Sequence, residues 1–170
     1  MNPNPFAWPF RAQFLLGGVV CCVLVAYALF EQFQVGLEPC PKCILQRIAF
    51  IVAGVLFLVG AAHGPGAVGR RIYGVLVALA VASGAVVSVR HIIVQMTPTD
   101  PLLAGCGPGL NYLIDAYPLA EAIKKAFIGT GNCADIDWSF LGLSMPAWAL
   151  VWFVLLGGGA LWAGFRRRLA

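Results

Sequence analysis

Apolar positions along the chain gather into four long blocks, and the segments between and around them hold all of the charge except Arg47. The first block runs from Phe14 to Phe30, the second from Ile44 to Ala62 with Gln46 and Arg47 near its start, and the fourth from Met145 to Phe165. The third runs from Ile72 to Val89, its helix closing at about His91. A helix needs roughly 20 mostly apolar residues to cross a hydrocarbon layer of about 30 Å, so each block predicts a spanning helix. The reading is all-α: a four-helix transmembrane bundle forming a single membrane domain over residues 1–170.

Composition strengthens this, since 61% of residues are hydrophobic and only 11% charged, far from the balance of a water-soluble domain. The many glycines in the blocks suit close helix approach within lipid. Trp148, Trp152, Trp162, Tyr27 and Tyr73 fall toward block ends, where amphipathic rings favour the interface. Arg11, the first apolar block and Ala26-Tyr27-Ala28 resemble a cleaved secretory signal, but the block is long for that role, and an uncleaved helix is expected. A net charge of +4, small and scattered, points to no nucleic-acid partner.

Charge predicts the orientation. Connections are expected at about residues 31–43, 63–71 and 95–144, and all seven acidic residues lie in the first and third. Arg11, Arg70, Arg71, Arg166, Arg167 and Arg168 lie in the N-terminal arm, the middle connection and the C-terminus. Basic flanks are retained on the cytoplasmic side, so both termini are expected there, with the first and third connections outside. On that outer side Lys42 and Arg47 open the second helix, and Arg90 and His91 close the third, at one membrane level. Snorkelling anchors are the plain reading of such cations. For Arg47, inside a span, a functional role is the default.

Of six cysteines, Cys21 and Cys22 sit mid-span and read as small hydrophobes. Cys40, Cys43, Cys106 and Cys133 all fall in the outward connections. Cys40-Pro41-Lys42-Cys43 stands where the first connection meets the second helix, and a helix start stabilises a thiolate. Lys42 and Arg47 add positive potential near the sulfurs. A redox pair, half of a metal site and a structural staple all share this spacing.

Cys106 and Cys133 lie in glycine-rich surroundings, Gly105 to Gly109 and Gly129 to Cys133. A bridge between them would stabilise by roughly 3 to 4 kcal/mol on chain-entropy grounds, which is the structural reading. The glycines favour exposed, exchangeable sulfur instead. Leu110, Leu113, Ile114, Tyr117, Leu119, Ile123, Phe127 and Ile128 recur at helical spacing with a break at Pro118, predicting a short amphipathic interfacial helix in the long outward loop.

The run Glu38-Pro39-Cys40-Pro41-Lys42-Cys43-Ile44-Leu45-Gln46-Arg47, then Arg90-His91, Cys106, Asn132-Cys133 and Trp138 to Trp148, resembles the disulfide bond formation protein B (DsbB) family. The resemblance covers most of the chain. It implies a bacterial inner-membrane enzyme that reoxidises a periplasmic thioredoxin-fold dithiol oxidase of DsbA type and passes electrons to a membrane quinone, ubiquinone or menaquinone. In such a relay Cys106 forms the mixed disulfide with the partner, Cys133 is its bridge partner, and Cys40 and Cys43 reoxidise that pair, with Cys43 nearest the quinone. Arg47 and His91 match quinone-associated positions, where a cation or hydrogen-bond donor offsets charge building on ring oxygens. The charged Pro41-Lys42 dipeptide is a variant whose effect on potential the resemblance does not supply. Two other readings compete: a zinc site made by the four outward thiolates, and a membrane protein with two inert bridges.

Overall fold

The computed structural model describes residues 8–36, 39–96, 116–118, 120–121 and 139–166. Cys106 and Cys133 lie outside the described residues, as does the expected interfacial helix apart from 116–118 and 120–121.

Among the described residues, four helices are long and apolar enough to cross a membrane: α1 (Phe10–Phe30), α2 (Pro41–His63), α3 (Ala67–Met96) and α4 (Met145–Phe165). They form the four-helix bundle that the apolar blocks predict. The start of α1 and both ends of α2 and α3 reach past those blocks, because backbone hydrogen bonding does not stop where side chains turn polar, whereas α4 has the bounds of its block. At the end of α1 the helical path continues as a π-helical turn, Glu31–Val35, and stops at Gly36 in the left-handed region (φ 78°). Pro41 opens α2 at a position whose N–H would have no partner inside the helix.

The connection between α2 and α3 is only residues 64–66, so the two helices run antiparallel as neighbours. Gly64 ends α2 with φ 56°, its N–H donating to the Gly60 carbonyl at 3.2 Å. Arg11, from the start of α1, donates through Nε to the Ala61 carbonyl at 2.9 Å and satisfies another end group of α2. Nearby, α4 meets α3 so closely that a Cβ on Gly164 would lie 2.8 Å from the Arg70 carbonyl oxygen. Arg11, Arg70 and the end of α4 at Arg166 therefore share one end of the bundle.

The core is aromatic and small by turns. Phe50 and Phe153 stack with centroids 4.0 Å apart, Phe14 meets Phe57 edge-on at 5.0 Å, and Val77, Val81, Leu156 and Ala160 fill between them. Large apolar side chains such as Leu15, Val23, Leu79 and Val154 point outward, as helices solvated by lipid require.

A short hairpin, β1 (Ser139–Phe140) and β2 (Leu143–Ser144), leads into α4. Leu141 and Gly142 turn it with φ 53° and 77°. Trp148 fixes it from α4 by donating Nε1–H to the Phe140 carbonyl at 3.0 Å, and Ser144 ties it to the end of α3 through Gln95 at 2.8 Å.

Candidate functional site at the mouth of the bundle

At the end opposite Arg11, Cys40 is the N-cap of α2 and Cys43 lies one turn inside. The Cys40 sulfur accepts the Cys43 backbone N–H at 3.3 Å, so the thiol stands where a capping oxygen usually stands. The two sulfurs are unbonded and 3.1 Å apart, with Cys40 buried and Cys43 half-buried. From α3, His91 brings Nε2 to 3.8 Å from Cys40 Sγ, although the two residues are 51 positions apart. His91 is itself buried, on the inner face of α3 with Ser88 and Val94. Two thiols and an imidazole thus meet at one helix N-terminus, where the positive dipole end favours thiolate.

Arg47 is on the other side of the pair. Its Nη2 donates to the Ala28 carbonyl of α1 at 2.9 Å, and its Nη1 donates to Gln32 Oε1 on the π-helical turn. The guanidinium is thereby clamped across two helices, and the turn that holds it is of a kind often found at functional sites. A cleft opens beside it between α1, α2 and α4. Cys43, Gln46 and Arg47 form its polar side, and Leu24, Phe50 and Trp152 are among its apolar walls.

Gln46 is a site residue that the sequence marks only as a polar position near the start of the second apolar block. It is 5% exposed, and its Nε2 has no hydrogen-bond partner among the described residues. A buried amide left in that condition costs about 1–3 kcal/mol. The only sequence signal was a polar residue in an apolar span. His91 does not line this cleft; the fold sets it behind Cys40. Lys42 is fully buried, so it is not a snorkelling anchor. Cys21 is buried in the core and Cys22 faces outward, and neither lines the cleft.

A cleft of this kind, apolar-walled with a sulfur, a fixed cation and an unsatisfied donor, fits a flat ligand bearing carbonyl acceptors. The sulfur pair with the imidazole also fits a thiophilic ion, since the three donor atoms lie within 4.8 Å of one another.

Fold and site together define a multi-pass membrane protein of thiol–disulfide chemistry. The chain belongs to the DsbB family: the family model, disulfide bond formation protein DsbB, matches residues 10–163. It is similar to disulfide bond formation protein B of Xanthomonas campestris pv. campestris, 52% identical over 166 residues, with 97% of this chain and 96% of that protein covered. The same is true of the proteins of that name from Methylobacillus flagellatus (45% over 158 residues, 93% and 95% covered) and Xylella fastidiosa (44% over 164 residues, 96% and 94%).

Proposed function

We propose that this protein is a protein-dithiol:quinone oxidoreductase of the bacterial inner membrane, which reoxidises a periplasmic thioredoxin-fold dithiol oxidase of DsbA type and so sustains disulfide formation. The observation that carries the proposal is the position of Cys43: it lies 3.1 Å from its redox partner and at the same time lines the apolar cleft that Arg47 and Gln46 share.

The sulfur path conserves bonds at each step. A partner thiolate attacks Cys106 of a Cys106–Cys133 disulfide, Cys133 leaves as thiolate, and the partner's second thiol displaces Cys106 to close its own disulfide. The Cys106 and Cys133 thiols then reduce a Cys40–Cys43 disulfide in the same way, leaving Cys40 and Cys43 as thiols. Closing that bond again releases two electrons and two protons, which a bound quinone, ubiquinone or menaquinone, accepts when present.

The chain's own groups are suited to this. The helix N-terminus stabilises thiolate at the pair. The 3.8 Å approach of His91 to Cys40 supports a role in holding the proton that sulfur gives up. Arg47, already fixed by Ala28 and Gln32, presents charge toward the cleft without reorganising, and Gln46 supplies a donor that has no partner among the described residues. Apolar walls exclude water and strengthen both. The basic end of the bundle faces the cytoplasm with both termini, and the sulfur end faces the periplasm.

Purified protein supplied with a reduced dithiol partner and a quinone tests this by following quinone absorbance. Cys43→Ser and Cys106→Ser are expected to abolish quinone reduction, whereas Cys21→Ala and Cys22→Ala keep it. Full activity in either serine variant refutes the proposal.

A further inference from the structure

We propose that the reduced Cys40–Cys43 pair and His91 form a three-ligand site for a thiophilic divalent cation, zinc in the first instance, and that the bound ion holds the pair out of oxidation. The regulatory half rests on the redox reading above; the binding half needs only the geometry.

Zinc takes sulfur at about 2.3 Å and imidazole nitrogen at about 2.0–2.1 Å in a tetrahedron, which implies about 3.8 Å between two sulfurs and about 3.6 Å between sulfur and nitrogen. Here the sulfurs are 3.1 Å apart and Cys40 Sγ is 3.8 Å from His91 Nε2, all three donors falling within 4.8 Å. The nitrogen already stands at close to a coordinating distance. To reach that tetrahedron the sulfurs need to separate by about 0.7 Å. Cys-x-x-Cys at a helix start is also the spacing of half a zinc site, and His91 supplies from α3 the ligand that the local sequence lacks.

Charge favours the ion as well. Two thiolates neutralise a divalent cation, so the complex brings no net charge into a site where Cys40 and His91 are buried. Binding releases one proton from each thiol and leaves sulfur oxidation states unchanged. The fourth position falls to water or a small anion on the side of half-buried Cys43. Three protein ligands, and a buried lysine in the same turn, set the affinity below that of a four-cysteine structural site. With one lone pair of each sulfur shared with the metal, the thiolates are poorer electron donors, which makes the ion an inhibitor of the reduced enzyme.

The test uses the full chain carrying Cys106→Ser and Cys133→Ser, reduced under anaerobic conditions and dialysed against zinc, with cadmium as an optical probe of thiolate ligation. One ion per chain, release of two protons, and a cadmium–thiolate absorption band are expected, all lost in Cys40→Ser and after oxidation of the pair. His91→Ala should weaken binding at least tenfold, with His91→Asn and a thermal melt showing that the fold persists. In a single turnover without partner, zinc should slow quinone reduction at least tenfold, and a chelator should restore it. Failure to bind, or equal binding by the oxidised protein or by His91→Ala, overturns the site. Stoichiometric binding with no effect on turnover overturns the regulatory half. Since binding is measured without quinone or partner, a protein that binds zinc yet never reduces quinone refutes the proposed function and leaves the metal site standing.

Discussion

Arg47 on α2 donates to the carbonyl of Ala28 on α1 at 2.9 Å, across the lip of the cleft that Cys43 lines. The contact joins the redox end of α2 to the last turn of α1, where Gln32 holds the other arm of the same guanidinium. A planar fork reaching two acceptors is something an ammonium group does not reproduce.

Arg47→Lys is therefore expected to lower quinone-dependent turnover about tenfold to a hundredfold, less than the hundredfold to thousandfold scale of deleting a preorganised donor because the charge is kept. Thiol exchange between the protein and its dithiol partner, followed in one turnover without quinone, should keep its rate. Equal loss in both assays would mean that Arg47 serves structure alone.

Gln46→Leu should separate stability from ligand binding in the opposite sense. It removes a buried amide nitrogen that has no partner among the described residues, so thermal stability should hold or rise by about 1 kcal/mol. The KM for quinone should rise about tenfold. A loss of more than about 2 kcal/mol with unchanged KM would show that the amide serves the fold.

At the far end of the bundle the prediction concerns packing. A Cβ at Gly164 would stand 2.8 Å from the Arg70 carbonyl and one at Gly74 would stand 2.9 Å from the Ala160 carbonyl, so neither backbone can give way separately. Gly164→Val is expected to cost about 1–3 kcal/mol or more through forced separation of α3 and α4, read as a lower unfolding temperature in detergent. Gly158→Ala, which meets nothing within 4 Å, is the matched control and should melt like the parent.

Topology gives a further prediction. In intact cells, a membrane-impermeant thiol reagent should reach reduced Cys106 and Cys133 from the periplasm, while cysteines introduced at Arg71 or Arg168 should label only after the inner membrane is opened. Labelling of Cys40 and Cys106 from opposite sides would break the proposed sulfur path.

The local parts of this site are legible in the sequence. Cys40 and Cys43 are separated by one helical turn in Pro39-Cys40-Pro41-Lys42-Cys43, so helix geometry alone brings the sulfurs near each other at an N-terminus. Gln46 and Arg47 follow on the next turn of the same helix, but which way each faces depends on neighbours. The hairpin before α4 was not foreseen, because Leu141 carries a positive φ that a leucine gives no reason to expect, and the turn holds through Trp148 and Gln95 instead.

Sequence by itself determined the four spans and the thiol pair at the start of α2, since both follow from short-range rules: lipid selects long apolar runs, and a helix sets the spacing of residues three apart. Only the tertiary structure decided that His91 approaches Cys40 and does not line the cleft, that Arg47 is clamped by α1, and that Gln46 is buried with a donor unpartnered among the described residues. Those outcomes depend on how α1, α3 and α4 rotate against α2. That rotation is set by packing small residues such as Gly74 and Gly164 and rings such as Phe50 and Phe153, contacts between positions scores of residues apart.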